Sequence, residues 1–151
     1  MPRITLAVTQ GGADTFTTGL IDTGLSADGK AAWSIYAIRA WWVNGAAVAA
    51  VDHSAFAKVS TLATTTTFTS ADEIDRVGWG VQNTGGVAVA YTYDPIKEHS
   101  LFEPRITVQP FIYVQNESTA TGQANQLQIQ IFYDIVKLTD LEVLRLLAGG
   151  A

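Results

Sequence analysis

The chain has 151 residues, of which 48% are hydrophobic and only 15% are charged, and its formal net charge is −5. Ordinary soluble domains carry about 25% charged residues, so this composition is typical of a protein that covers part of its surface in an assembly. The absence of cysteine excludes disulfides, thiolate metal sites and a cysteine nucleophile, and the nine scattered basic residues argue against direct phosphate binding.

The beginning of the chain predicts neither export nor membrane insertion. Residues 1–10 contain Arg3 as their one charge and have no long apolar run, so we expect no signal peptide. The longest apolar stretch between charges, 40–51, is interrupted by Asn44 and Gly45. It is shorter than the ~18 to 20 residues that a membrane helix needs, so no transmembrane segment is predicted.

Alternating apolar residues and turn residues predict about eight β-strands. Valine, isoleucine, threonine and aromatic residues, which favour strands, dominate these runs. Asn44-Gly45 suits a two-residue hairpin that would return 48–62 onto 33–43. A polar loop would join the last two runs as a second hairpin. The predicted strands are 4–10, 15–22, 32–43, 48–62, 77–82, 87–93, 106–115 and 126–138.

Three segments carry helix signals. Ser70 and Glu73 have the spacing of a capping box. Asp94 is a candidate N-cap, because the next residue, Pro95, would occupy the first position of a helix, where proline is favoured. The clearest helix is 140–147, preceded by a capping box of Thr139 and Glu142. Its apolar residues occupy most of its circumference, and so short a helix is marginal alone. It must therefore dock on its own subunit or on a neighbour, and the sequence leaves both open.

These elements predict one domain over 1–151, an all-β, two-sheet antiparallel β-sandwich with short helices in connections and at the C-terminus. The segment 33–43 is unusual because both of its strand faces are apolar. Arg39 falls on the face of Trp33 and Trp41 if the strand is regular. We therefore expect the opposite face, with Tyr36, Ile38 and Trp42, to line the core.

No arrangement of residues indicates catalysis, a metal or a cofactor, so we predict a protein that is not an enzyme. Asp52, His53 and Ser54 have the residue types of a nucleophilic triad, but neighbours in a strand point to opposite faces. His99 is far from His53 in the sequence. The acidic cluster around Asp72 lacks the pattern of a calcium loop.

The number of strands, the low charge and the closing run QLQIQIFYDIVKLTDLEVLRLL together resemble single jelly-roll viral capsid proteins. The resemblance implies a jelly-roll sandwich that self-assembles into a shell and resides in the virion. The resemblance implies that the protein's partners are other copies of the same chain, and it also allows a second virion protein as a partner. The sequence departs from one version of the family because it lacks a basic N-terminal arm for the genome. The candidate subunit-contact residues are Trp41, Arg39, Leu141, Leu144 and Leu147.

A second function class is a carbohydrate-binding β-sandwich, in which exposed aromatic rings stack on sugars. This hypothesis predicts one or two exposed tryptophans beside polar side chains. The candidates are Trp33, Trp41, Trp42 and Trp79.

Overall fold

The computed structural model describes residues 2–26, 30–43, 52–61, 73–84, 87–92, 96–121 and 124–149. Within these ranges the chain forms nine β-strands and one α-helix. They are β1 (Arg3–Thr9), β2 (Thr17–Asp22), β3 (Ala31–Val43), β4 (His53–Ser60), β5 (Glu73–Thr84), β6 (Val87–Thr92), β7 (Ile96–Thr107), β8 (Phe111–Thr119), β9 (Gln126–Lys137) and α1 (Asp140–Gly149).

The strands form two antiparallel sheets. One has the order β1-β9-β3-β7 and the other β2-β8-β4-β5-β6. The chain crosses to the other sheet at nearly every connection, and only β4, β5 and β6 follow one another within a sheet. This is the double-sheet jelly roll, so the predicted all-β sandwich of jelly-roll type, with a C-terminal helix, is confirmed.

Both predicted hairpins are wrong. The strands β8 and β9 lie in different sheets, so 106–115 does not pair with 126–138. The strands β3 and β4 are also in different sheets, so 48–62 does not return onto 33–43; Asn44 and Gly45 themselves lie outside the described residues. Alternation identifies a strand through one buried face, but it does not say which strand lies beside it.

Two predicted connecting helices are wrong where the structure describes them. Ile96–Thr107 is the strand β7, which pairs with β3, and Glu73 begins the strand β5. Residues 70–72, 94 and 95 lie outside the described ranges. A short capping signal contributes little by itself, because helices this short depend on tertiary packing. Pairing with a neighbouring strand therefore prevails.

A β-bulge at Tyr36 changes which side chains of β3 face the core. The register with β9 shifts between Ile35 and Ala37, and one extra residue reverses the alternation that follows. Trp33 therefore points to the same side as Ile38 and Trp42, and all three are buried. The predicted pairing of Trp33 with Trp41 on one face is wrong.

The remaining predictions for β3 have mixed outcomes. Ile38 and Trp42 line the core as predicted, and Arg39 and Trp41 alternate with them on the opposite, outer face of the sheet. Tyr36, which was expected in the core, is the bulged residue, and its ring lies 6.5 Å from that of Phe132. The prediction for Tyr36 is wrong because it assumes a regular strand, and the alternation of residues does not reveal that a bulge lies at this position.

The core lies between the two sheets and consists mainly of aliphatic side chains. Its centre includes Ile38 from β3, Val114 from β8 and Ile129 from β9, all inaccessible to solvent. Trp33 stacks on Tyr133 with their ring centroids 3.6 Å apart, near one end of this layer. Burial of large aliphatic side chains, each contributing roughly 1.5–3 kcal/mol, stabilises the two sheets against each other.

Candidate assembly surfaces

The helix α1 begins at a capping box, as the sequence predicts. The Thr139 backbone N–H and hydroxyl both donate to Glu142 Oε2, at 2.8 and 2.7 Å, and the Glu142 N–H donates to Thr139 Oγ1 at 3.4 Å. The hydrogen bonds from the Thr139 amide and hydroxyl lower the pKa of Glu142. Lys30 Nζ lies 3.1 Å from Asp140 Oδ1. These contacts fix where the helix starts, at the end of β9.

The apolar side chains of the first turns of α1 are exposed. Leu141 is 58% exposed and Leu144 is 62% exposed, and Ile135 near the end of β9 is 64% exposed. Leu141 and Leu144 are three positions apart, so they share one helix face. We call Leu141 and Leu144 the C-terminal apolar patch. Leu147, the third predicted contact residue of the helix, belongs to α1, but its side chain lies outside the described part.

Arg39 and Trp41, the other predicted contact residues, lie on the outer face of the four-stranded sheet. The Arg39 guanidinium carbon is 5.6 Å from the centroid of the Trp41 ring, a cation–π contact. Both side chains are half-buried, and Arg39 Nε is shielded from solvent without a hydrogen-bond partner among the described residues. This face is therefore less open than the C-terminal apolar patch.

The structure does not bring these two predicted contact regions together. Trp41 pairs with Gln128 near the start of β9, whereas α1 follows the last residue of that strand, Lys137. A strand rises roughly 3.3 Å per residue, so the two regions are separated by about 30 Å. They would take part in different contacts.

The tryptophans offer little to a sugar-binding hypothesis. Trp33 and Trp42 are buried, and Trp42 Nε1 donates to Asn116 Oδ1 at 3.2 Å within the core. Trp41 is half-buried beside Arg39, and the side chain of Trp79 lies outside the described part. Two of the four candidate platforms are thus unavailable for stacking on a sugar.

The sequence did not reveal a second exposed apolar surface, on the outer face of the five-stranded sheet. Leu20 on β2 is 50% exposed, and Phe111 on β8 is also exposed. Leu20 pairs with Tyr113, and Phe111 pairs with Asp22, so Leu20 and Phe111 are diagonal neighbours on one face. We call them the β2–β8 patch. Their proximity follows from strand pairing, which the sequence alone does not give.

Polar side chains on this same outer face are shielded from water. Lys58 and Gln115 stand opposite each other on β4 and β8, alternate with core residues, and are nevertheless inaccessible. Within the described part of the chain, neither amide atom of Gln115 has a hydrogen-bond partner, although buried polar groups usually do. The central part of this face is therefore not a solvated sheet surface.

A network of polar side chains closes one end of the sandwich. Asp14 Oδ1 accepts hydrogen bonds from the Thr121 N–H at 3.0 Å, the Thr121 hydroxyl at 2.8 Å and the Ser118 hydroxyl at 3.0 Å. Gln10 extends the network to the residue before β9, because Gln10 Nε2 donates to Ser118 Oγ at 3.0 Å and Gln10 Oε1 accepts from the Asn125 N–H at 2.9 Å. The network joins the loop after β1 to the loop between β8 and β9.

Asp14 has a lowered pKa because of this network. Partial burial acts to raise the pKa, but the hydrogen bonds from Thr121 and Ser118 outweigh it. Asp14 also adopts a positive φ of 56°, a conformation that aspartate tolerates better than most residues. The sequence gives one hint of this arrangement, an aspartate in a glycine-rich turn, but not its distant partners.

Replacing Asp14 should weaken the fold in a pH-dependent way. Asp14→Ala removes the acceptor of three hydrogen bonds, so we expect a loss of about 1–2 kcal/mol at pH 7 in urea unfolding. A lowered folded-state pKa means that this contribution is fully present above the unfolded-state pKa of about 4 and is lost as the pH falls through the still lower folded-state pKa. The difference between the wild-type and variant stabilities should therefore narrow in acid and leave only the pH-independent cost of alanine at a positive φ. Asp134→Ala, at an exposed position, is the control, and a constant difference at all pH values would contradict the assignment.

No group of three or more histidine or acidic side chains in the described ranges is placed to hold a metal ion. No helix in these ranges has the length and apolar character needed to cross a membrane.

No protein-family model matches the sequence, and no curated protein matches it. Solved structures with a similar chain course include the unassembled VP1 pentamer of KI polyomavirus, with a TM-score of 0.48 and 10% identity, covering 82% of this chain and 74% of that chain. Another is a variant of the unassembled VP1 pentamer of Washington University polyomavirus, with a TM-score of 0.48 and 8% identity, covering 89% and 93%. At such identities the similarity concerns the fold alone.

Proposed function

We propose that this chain is a non-enzymatic structural protein, a capsid-type jelly-roll subunit whose copies associate into the shell of a virion. The observation that carries the proposal is the C-terminal apolar patch, in which Leu141 and Leu144 are more than half exposed in the single copy. Apolar side chains that cluster on a soluble chain usually mark a contact site. A ten-residue helix is also marginal without packing.

The arrangement of apolar surfaces supports copies of the same chain as the partner. The C-terminal apolar patch and the β2–β8 patch lie on different parts of one subunit, the first after β9 and the second on the outer face of the other sheet. Two different surfaces that meet each other form heterologous contacts, which close into rings when the rotation between copies allows it. The proposed partner for α1 is therefore a second copy.

The charge distribution supports a subunit that does not bind the genome through a basic arm. The net charge is −5, and Arg3 is the one charged residue of β1. Neutralising several phosphates would require clustered cations. A second virion protein could take the place of the second copy on α1, and it is one of the outcomes that the following experiment distinguishes.

Removing the two exposed leucines should weaken the contact made by α1 without weakening the subunit. Leu141→Ala/Leu144→Ala keeps a good helix former at both sites. Each leucine would contribute roughly 1.5–3 kcal/mol when covered by a partner, so we expect the contact through α1 to be at least about 100-fold weaker, measured by light scattering after size exclusion. The free energy of unfolding of the monomer should change by less than about 1 kcal/mol, since both side chains are exposed there.

Arg145→Ala, on the same helix and also exposed, is the matched control and should associate as the wild type does. Particles or rings of wild type in negative stain would support the proposal. Wild type that stays monomeric at tens of micromolar over a range of salt and pH would contradict it. Wild type that associates only after a second virion protein is added would reassign the patch to that protein.

A further inference from the structure

The strand β1 lies at the edge of the four-stranded sheet. Of the strands that the structure describes, it pairs only with β9, which leaves the other side of its backbone without a partner strand among them. The Gln10 N–H donates to the Asn125 carbonyl, and the Pro2 carbonyl accepts from the Tyr133 N–H. In antiparallel pairs, residues that bond to the neighbour alternate with residues whose groups point away. The residues whose N–H and C=O groups point to the open edge are therefore Arg3, Thr5, Ala7 and Thr9.

This edge lacks the features with which proteins usually prevent strand addition. Ile4–Thr9 contains no charge, no proline and no glycine, and the seven pairs with β9 have no register shift. Charges, prolines and bulges are the usual protection of an edge. The other edge of the same sheet, β7, contains several charges, Pro104 and a register shift. Of the two edges of this sheet, β1 is thus the regular one, and its single charge, Arg3, lies at its first residue.

The side chains of β1 are also suited to a partner. Ile4 and Leu6 pack against the core but are only half-buried, whereas Thr5 and Ala7 on the other face are small and exposed. Leu6 lies close to Gly19 of β2, where a Cβ atom would be 2.8 Å from Leu6 Cδ2. A regular strand with exposed backbone groups and a partly exposed apolar face is suited to accept another strand.

We infer that β1 pairs with β1 of a second copy, antiparallel across a two-fold axis at Leu6, and joins two four-stranded sheets into one of eight strands. In this register Thr5 of one copy stands opposite Ala7 of the other, and their outward N–H and C=O groups bond to each other. Leu6 meets its own counterpart, and Ile4 meets Val8. The single charge, Arg3, stands opposite Thr9, so like charges are kept apart. The inference rests on the proposed self-association and specifies one of its interfaces.

Ala7→Pro tests the edge without breaking the sheet. The N–H of Ala7 points away from β9, so proline removes no hydrogen bond within the subunit, and proline is tolerated at such edge positions. We expect at least 100-fold weaker dimerisation by sedimentation equilibrium, with unchanged far-UV circular dichroism. Ala7→Thr keeps the N–H and should dimerise as the wild type does.

Leu6→Cys tests the register. The chain has no cysteine, and directly opposed residues in the predicted pair lie within the range of a disulfide. Mild oxidation should therefore link two copies. Thr5→Cys should link much more slowly, because Thr5 and its counterpart would be diagonal, about 7–8 Å apart.

The outcomes separate this interface from self-association in general. Association of Ala7→Pro equal to that of wild type, together with no preferential disulfide at position 6, would overturn the pairing of β1 while leaving the proposed function standing. A wild-type chain that is monomeric under all conditions would overturn both. Loss of association in Ala7→Pro and a rapid disulfide at position 6 would support the pairing.

Discussion

Asn116→Ala is expected to destabilise the subunit by about 3 kcal/mol or more. Asn116 is inaccessible to solvent, accepts a hydrogen bond from Trp42 Nε1 at 3.2 Å and donates to the Val8 carbonyl at 3.2 Å. Its removal leaves the indole N–H buried without a partner, at a cost of roughly 1–3 kcal/mol, and adds a cavity where the amide stood. Asn116 connects both sheets, so the loss affects the whole sandwich.

Urea unfolding monitored by tryptophan fluorescence measures this change. Thr119→Ala, at an exposed position on the same strand, should stay within about 0.5 kcal/mol of wild type. In the Trp42→Phe background the donor is absent, so Asn116→Ala should cost less there, and the difference gives the coupling between the two side chains. A cost below about 1 kcal/mol in the wild-type background would show that the hydrogen bond contributes little.

Gly19→Ala is expected to destabilise the subunit by about 1–3 kcal/mol through overpacking. A Cβ atom at Gly19 would lie 2.5 Å from Val8 Cγ2 and 2.8 Å from Leu6 Cδ2. These are core-facing side chains of β1, which crosses close to β2 where the two sheets meet. The missing side chain of Gly19 is therefore what allows the sheets to approach along this side.

A second substitution identifies overpacking as the cause. Val8→Ala removes the methyl group that would collide, so it should be less costly in the Gly19→Ala background than in wild type, by about 1 kcal/mol. Gly11→Ala is the control, because a Cβ atom there meets nothing within 4 Å. Equal costs of Val8→Ala in both backgrounds would indicate that Gly19 is required for another reason.

The sequence predicted the elements that depend on local patterns. Alternation identified the sandwich, and the spacing of Thr139 and Glu142 identified the start of α1, where the predicted hydrogen bonds are present. Helix capping and strand alternation involve neighbours within a few residues, so a single sequence contains them. The same local signals failed at Glu73 and Ile96, because pairing with distant strands determined the structure there.

The features that required the structure all involve residues far apart in the chain. The hydrogen bonds of Asp14 come from residues more than a hundred positions away. The β2–β8 patch exists only because Leu20 and Phe111 come together in one sheet. Exposure of Leu141 and Leu144 also depends on what the rest of the subunit covers, so the sequence left open whether α1 docks within or between copies.

The bulge at Tyr36 explains why β3 carries apolar residues at both odd and even positions. The strand has two phases: before the bulge the odd residues Trp33 and Ile35 face inward, and after it the even residues Ile38, Ala40 and Trp42 do so. The two apparent apolar faces are therefore largely a single face, which is formed by odd-numbered residues before the bulge and by even-numbered residues after it. The strand therefore has much less surplus apolar surface than its composition suggests. We therefore expect contacts between copies at α1 and along β1 more than across the outer face of this sheet.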